Sequence, residues 1–313
     1  MNATPKVTIV MATYNRARFI FETLLSVQNQ TFKDWECLII DDGGSDNTTQ
    51  VINPILSQDI RFQFLKRPDS YKKGLPGCRN YGLDLAKGDY IIFFDDDDIA
   101  HPQNLELCVL ELSRNEISFC RYTRAVFFND FDYNFDFSTE YTSFPITAKD
   151  IARILRFELP FNSCAIMWKK QCFQGNRFVE HLMYAEEWEL YPRILSNGFF
   201  GVSIEKTLFY GRKHPDSNTG EFYNNDSIRR DSYADAILLV MQNLKTKQML
   251  TKPIIRYFVQ VSLEYKKLNL FKRIELILGF TALQSLQLRL FYFALPLRLF
   301  FYKRWRETKK LLK

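Results

Sequence analysis

The chain has 313 residues, of which 46% are hydrophobic and 25% are charged, and its net charge is +6 at pH 7. These values exclude a disordered chain, and the length suits one large α/β domain with an appendage. The charge is uneven, because residues 245–313 hold 16 basic and three acidic side chains, a balance of +13 that leaves −7 for the rest. We expect this basic, aromatic tail to meet an anionic surface.

The cysteines and the N-terminus indicate where the protein resides. The six cysteines form no CxxC pair, and several lie in apolar runs. We therefore predict reduced core thiols in a cytosolic protein. The first 15 residues carry no basic leader, and their apolar run is five residues long, so no secretory signal peptide is predicted.

Short apolar runs alternate with helically spaced apolar residues over the first 94 positions. Strands are predicted at 7–11, 36–40, 62–65 and 90–94, with a helix after each of the first three. Asp46 is predicted to cap the second of these helices. This order predicts a parallel sheet with right-handed crossovers and helices on both faces.

The pattern is less regular beyond residue 100. Helices are predicted at 102–112, 147–157 and 185–195, strands at 117–128 and 163–168, and a last strand pair at 199–210. The aromatic and acidic stretch 129–144 is interpreted as a loop. The composition changes at about residue 243, so we predict two domains, 1–243 and 244–313.

Four consecutive acids follow the predicted strand Tyr90–Phe94, at Asp95 to Asp98. That strand has the continuous apolar pattern of a buried parallel strand, and ligands bind at such strand ends. Four adjacent carboxylates repel one another, and Mg²⁺ or Mn²⁺, which in turn holds phosphates, would relieve the repulsion. The alternative is a solvated acidic turn that caps a helix beginning near Pro102.

Five motifs occur in a recognisable order. They are ATYNR (12–16) with SVQNQT (26–31), IIDDGGSDNT (39–48), GCRNYGLDLAKGDYIIFFDDDD (77–98), AEEWEL (185–190) and YGRKHPDS (210–217). From residue 6 to about 220 the chain resembles inverting family 2 glycosyltransferases of bacterial surface-polysaccharide or glycan assembly, which have the Rossmann-like GT-A fold. Ala12 stands where proline is usual, GGSD replaces GSTD, and Glu186-Glu187 replaces the more frequent Glu-Asp.

The resemblance implies a site for a nucleotide-sugar donor, with a UDP-sugar favoured. Thr13 and Tyr14 would line the base pocket, and Asp41 would accept the imide hydrogen of uracil. A local turn with Gly43 is the alternative for Asp41. Arg79 would reach the nucleotide, and its alternative is a surface ion pair.

The resemblance also assigns the acids and one histidine. Asp95 or Asp96 would bind the ribose hydroxyls, and Asp97 would hold the divalent cation, Mn²⁺ or Mg²⁺. His214 would be a further metal ligand, although a surface loop histidine is the alternative. Asp98 fits better as a helix cap or as support behind the site.

Glu187 is the predicted general base. Direct displacement at an anomeric carbon inverts its configuration and needs a carboxylate within reach of the acceptor hydroxyl. Glu186 remains the alternative, and acids are common in a first helical turn. Trp188 would pack beneath the acceptor site, and the loop 129–144 would lie near it.

The tail beyond Ile254 mixes aromatic and basic residues. Its longest uncharged stretch, 276–288, has 13 residues, or ~20 Å as a helix, too short to span a bilayer. We predict amphipathic helices on the inner face of the cytoplasmic membrane. A packed helical layer or a dimer interface is the alternative. Nucleic acid is not expected as a partner, because no groove-reading motif accompanies the charge.

The sequence therefore predicts an enzyme that moves a sugar from a nucleotide donor to a hydroxyl of a glycan or a lipid-linked oligosaccharide. A sugar-nucleotide nucleotidyltransferase would need a glycine-rich basic loop near the first strand, and ATYNRARF contains no glycine. An inactive nucleotide-sugar-binding protein would have lost part of the acid set, which is intact.

Overall fold

The structure is a computed structural model that describes residues 4–213, 222, 226–264 and 268–311. The chain divides into two compact units, Met1–Ala236 and Ile237–Lys313. The first unit contains the sheet and the acid run, and the second is helical. The two units are described separately below.

Nine strands within the described residues form one sheet. They are β1 (Val7–Thr13), β2 (Trp35–Asp41), β3 (Phe62–Lys66), β4 (Tyr90–Phe94), β5 (Ile99–Ala100), β6 (Phe119–Phe128), β7 (Ser143–Ile146), β8 (Ile166–Lys169) and β9 (Gly201–Lys213). The order is β3-β2-β1-β4-β8-β6-β9-β5, and β7 also pairs with β9. The first four strands are parallel as predicted, whereas β8 is antiparallel to both neighbours and β5 and β7 are antiparallel to β9.

The helices of the first unit connect these strands. They are α1 (Ile20–Gln28), α2 (Thr48–Gln58), α3 (Leu75–Leu85), α4 (Asn104–Arg114), α5 (Ile151–Leu155) and α6 (Glu186–Ser196), followed by α7 (Ser227–Thr246), which runs into the second unit. Helix α3 lies directly on β1, since a Cβ atom on Gly82 would come within 2.4 Å of Val10 Cγ1. Only glycine permits so close an approach. Arg79 lies one helical turn earlier on the same helix, so it is also held close to the sheet.

Several predicted elements differ from the structure. The predicted helix 147–157 is a 3-10 turn followed by the five residues of α5, and the predicted strand 163–168 begins as a 3-10 turn. The predicted pair at 199–210 is the single 13-residue strand β9. The strand continues through Lys206, which is buried and donates from Nζ to Ser138 O at 2.5 Å.

Two acids assigned as helix caps have other contacts. The N-cap of α2 is Asn47, and Asp46 Oδ1 reaches past it to accept from the backbone N–H of Thr48 at 3.0 Å. Helix α4 begins at Asn104, too far along the chain for Asp98 to cap it. All six cysteines are buried and unpaired, as their apolar surroundings predicted.

The second unit contains α8 (Lys252–Glu264), α9 (Leu268–Leu278) and α10 (Ala282–Leu311) in its described part. Large apolar side chains three or four positions apart are exposed along α10: Leu283, Leu286, Leu290, Phe293, Leu297, Phe301 and Trp305. We call this row the α10 stripe. Among the described residues, no helix is long and apolar enough to cross a membrane.

Candidate active site

The carboxyl ends of three parallel strands converge at one edge of the sheet. Thr13 at the end of β1 pairs with Asp41 at the end of β2, and Met11 of β1 pairs with Phe94 at the end of β4. The acid run Asp95–Asp98 follows Phe94 directly. The topology therefore brings together predicted donor-binding residues that are far apart in the sequence.

The loops that follow β1 and β2 are connected by Asn15, a residue that the sequence reasoning did not single out. Asn15 adopts a left-handed conformation, with φ of 54°, and its Oδ1 accepts from the backbone N–H groups of Ser45 and Asp46. Asparagine tolerates this conformation better than most residues, which is the signal that could have identified it. Tyr14 beside it is exposed, and Thr13 is buried.

Asp41 and Asp42 have different surroundings. Asp41 Oδ1 accepts from Gly44 N–H at 3.0 Å, one residue beyond the Gly43 turn considered as the alternative. Asp42 is bound by Arg67 Nε at 2.5 Å and by Gly74 N–H at 2.9 Å, just before α3. Asp42 thus fixes the start of α3, while the role of Asp41 toward a uracil remains a prediction.

The four consecutive acids fall into separate environments. Asp98 is buried, with Oδ2 3.0 Å from Arg124 Nη2 and Oδ1 accepting from Arg212 N–H at 2.8 Å, so it supports the turn from behind. Asp95 and Asp97 are partly exposed, and Asp96 is buried. Asp95 and Asp97 therefore lie at the rim of the site, and Asp96 lies beneath them.

Among the first three acids, Asp96 has the most unusual electrostatic surroundings. Its Oδ1 lies 3.4 Å from Arg16 Nε, and its Oδ2 is buried without a hydrogen-bond partner among the described residues. Burial, with repulsion from Asp97, raises the pKa of Asp96 to about 8, and Arg16 opposes the rise. A buried carboxylate oxygen left unpaired beside a second carboxylate is a position that a cation or a ligand hydroxyl would satisfy.

A neighbouring cluster is a poorer metal site. One ligand atom each from Asp95, Asp98 and Cys164 lies within 4.8 Å of the other two. However, Asp98 is already bound by Arg124, and burial raises the pKa of the Cys164 thiol well above its usual value. A protonated thiol is a weak ligand, so this cluster is poorly suited to a hard divalent cation, which prefers carboxylate oxygens.

Arg79 joins the acid run to helix α6. The guanidinium is buried and donates to Glu186 Oε1 at 3.1 Å, to Asp95 Oδ1 at 3.4 Å and to Ser163 Oγ at 2.9 Å. It is therefore not the surface ion pair considered as the alternative. Its contact with the nucleotide remains a prediction. In the structure, Arg79 fixes Asp95 and Glu186 relative to each other.

The two glutamates at the start of α6 differ in exposure. Glu186 is buried against Arg79, whereas Glu187 is half-buried and forms no ion pair within the described residues. Burial, together with repulsion from Glu187, raises the pKa of Glu186, and Arg79 acts against this rise. Ala185 before them is left-handed, with φ of 63°, a strained conformation for alanine at a helix start.

Arg212 connects the acid run to the aromatic loop. Its Nε donates to Asp97 O at 2.9 Å and its Nη1 to Asn129 O at 3.1 Å, and it forms an ion pair with Glu22. Sequence reasoning missed this role, although Arg212 lies inside the YGRKHPDS motif. His214, the predicted metal ligand two positions later, lies outside the described residues.

The predicted loop 129–144 is irregular up to residue 142, and its last two residues begin β7. Buried His101 holds it through ring contacts with Phe135 and Phe137 and through Nε2, 3.0 Å from Asp136 O. Burial lowers the pKa of His101, which keeps the imidazole neutral at pH 7. The loop is thus anchored next to the acid run.

The mixed sheet, its helices and the acid run at the strand ends define a sugar-nucleotide-dependent transferase of the GT-A class. Residues 8–172, more than half of the chain, match the model of glycosyl transferase family 2. The chain belongs to this family.

Similar proteins agree with this assignment. The putative glycosyltransferase EpsE of Bacillus subtilis is 26% identical over 273 residues, covering 83% of this chain and 91% of that protein. The Escherichia coli enzyme WfgD, a UDP-Glc:α-D-GlcNAc-diphosphoundecaprenol β-1,3-glucosyltransferase, is 38% identical over 113 residues, 36% of this chain and 43% of that protein.

Solved structures show the same fold. S. aureus TarS residues 1–349 with UDP-GlcNAc superposes with a TM-score of 0.67 at 18% identity, over 88% of this chain and 80% of that one. A mannosyltransferase from Pyrobaculum calidifontis with GDP-Man and Mn²⁺ gives 0.53 at 15% identity, over 99% and 84%. The predicted GT-A fold is confirmed.

Proposed function

We propose that the chain is an inverting, cation-dependent glycosyltransferase that moves a sugar from a UDP-sugar to a hydroxyl of a lipid-linked glycan. The observation that carries this proposal is the Arg79 bridge. One buried guanidinium holds Asp95 of the acid run and Glu186, the neighbour of Glu187, in a single cluster. A donor bound at the acids would therefore lie beside a carboxylate suited to deprotonate an acceptor.

On the donor side, Thr13, Tyr14 and Asp41 would enclose the base, and Asp95 and Asp96 would bind the ribose. The UDP-GlcNAc held by TarS supports a uridine donor. Asp97, with Asp96 beside it and His214 as a further ligand, would hold Mn²⁺ or Mg²⁺, as the Mn²⁺ in the Pyrobaculum enzyme suggests. When bound, the cation would neutralise charge that develops on the leaving diphosphate.

On the acceptor side, Glu187 would take the proton of the attacking hydroxyl. Its partial exposure leaves the carboxylate open to an incoming molecule, whereas Glu186 is already held by Arg79. Attack in line with the departing UDP inverts the anomeric carbon in one step. The lipid-linked acceptor named for WfgD supports an acceptor of that class.

The proposal is tested by a screen of sugar nucleotides against the full chain. In the presence of Mn²⁺, UDP-sugars should raise the melting temperature and be hydrolysed slowly, and GDP-sugars should do neither. The same UDP-sugars with pyrophosphate provide a control, because a nucleotidyltransferase would release UTP. UTP release, or no response to any sugar nucleotide, would contradict the proposal.

The α10 stripe supports a further part of the proposal, that the enzyme works at an anionic membrane surface. Seven exposed apolar residues lie three or four positions apart, so they fall along one side of the helix. Arg289, Arg298 and Arg304 belong to the same helix. An apolar row with basic neighbours is the composition of helices that lie in a lipid interface.

We expect the full chain to sediment with vesicles containing anionic lipid, and to be released only in part by high salt. Each basic residue near the surface contributes about 1 kcal/mol that salt screens, and apolar burial is insensitive to salt. The triple change Leu290→Ser, Phe293→Ser, Leu297→Ser should abolish the salt-resistant fraction. Ile60→Ser, at an equally exposed position of the first unit, is the matched control.

Equal sedimentation of the triple variant and the wild-type chain would show that the stripe does not contact lipid. If the chain shows no preference for anionic over neutral vesicles, the α10 stripe would instead be a packing or dimerisation surface. Gel filtration of the triple variant would detect the loss of a dimer.

A further inference from the structure

Helix α5 ends in a motif that normally requires glycine, but a phenylalanine occupies the position. The N–H of Phe157 donates to Ile154 O at 3.0 Å and the N–H of Glu158 to Arg153 O at 2.9 Å, which is the Schellman pattern. Phe157 has a φ of 57°. A left-handed conformation is strained for a residue with a Cβ atom, and bulky residues seldom adopt it.

The Phe157 ring stacks on Trp188, the residue that follows Glu187. The ring centroids are 6.3 Å apart and the planes differ by 16°, the arrangement of an offset stack. Trp188 is buried, and its Nε1 donates to Leu155 O at 3.3 Å. Phe157 nevertheless remains 59% exposed, so its ring covers Trp188 and is itself open to solvent.

Local stability does not account for a phenylalanine here. The stabilisation from a stacked aromatic pair does no more than offset the strain of the left-handed backbone. Glycine would keep both backbone hydrogen bonds of the motif without strain. Strained residues that persist in this way concentrate at binding sites.

We propose that Phe157 is the platform on which a sugar ring of the acceptor stacks, with the hydroxyl to be glycosylated directed at Glu187. This inference rests on the function proposed above. A pyranose has an apolar face of C–H groups that packs against an aromatic ring, and Trp188 fixes the orientation of that ring. The platform lies against Trp188, the residue that follows the proposed base in helix α6, and direct displacement requires the acceptor to bind near that base.

The experiment compares Phe157→Gly with Phe157→Tyr in the full chain. The probe is a set of alkyl glycosides and a short-chain alkyl N-acetylglucosaminyl diphosphate, each supplied with UDP-sugar and Mn²⁺. Phe157→Gly should raise the KM for the acceptor probes roughly tenfold, whereas Phe157→Tyr, which keeps the ring, should stay close to wild type. UDP binding, donor hydrolysis and the melting temperature should be unchanged in both variants.

An acceptor KM unchanged in Phe157→Gly would overturn the platform. So would a parallel loss of UDP binding or of thermal stability, because that result would mean that the ring only supports the fold. These outcomes are separate from failure of the proposed function itself, which would appear in the wild-type chain as absence of any response to UDP-sugars.

Discussion

Glu187→Gln is expected to bind UDP as the wild-type chain does, yet to transfer sugar at least ~10²-fold more slowly. The amide keeps the shape of the carboxylate but cannot accept the acceptor's proton. UDP affinity measured by calorimetry and transfer rates measured at saturating donor separate the two effects. Glu187 forms no ion pair within the described residues, so little loss of folding stability should accompany the change.

Glu186→Gln is the matched control at the neighbouring position. This change weakens the ion pair with buried Arg79, so we expect a lower melting temperature with part of the transfer activity retained. An active Glu187→Gln beside an inactive but stable Glu186→Gln would move the base to Glu186. Substantial transfer by both variants would remove the base from this helix altogether.

The second large effect is expected for Asp97→Asn, which should remove the dependence of donor binding on Mn²⁺. The amide oxygen is a weaker ligand than a carboxylate, and one negative charge beside the diphosphate is lost. UDP titrated with Mn²⁺ and with EDTA should show a large difference in affinity for the wild-type chain and little for the variant.

Asp89→Asn provides the control for this measurement. Asp89 precedes the opposite end of β4 and forms an exposed ion pair with Lys6 at 2.8 Å, so its loss should leave both titrations unchanged. Equal UDP affinity of the wild-type chain in Mn²⁺ and EDTA would show that donor binding needs no cation at Asp97.

The sequence was most informative where periodicity and strand ends coincide. Continuous apolar runs predicted the parallel strands β1 to β4, and helically spaced apolar residues predicted α1 to α3 between them. The parallel topology then predicted that the acids after these strands lie at one edge of the sheet. The GT-A fold was predicted because the motifs also occurred in order, and the similarity to TarS confirms it. Local patterns were sufficient for this part of the chain.

The later part of the sheet depends on contacts between distant residues. The sequence predicted a strand pair where the structure has the single strand β9, and it did not predict the short strand β7. Both outcomes depend on contacts with distant residues, such as the bond of buried Lys206 to the 129–142 loop. The contacts of Arg79, Arg212 and Asn15 likewise join residues that sequence spacing does not relate. Buried charges have no periodic signature, so only the folded arrangement reveals their partners.

The Arg79 bridge also limits how this enzyme can be divided or recombined. The family match ends at residue 172, yet the buried guanidinium within it takes its closest charged partner, Glu186, from beyond that limit. Breaking a buried ion pair by removing one partner costs about 3–5 kcal/mol. A chimera that exchanges the segment after residue 172 with a relative should therefore be destabilised unless the donated segment brings an acid to face Arg79, whatever acceptor it recognises.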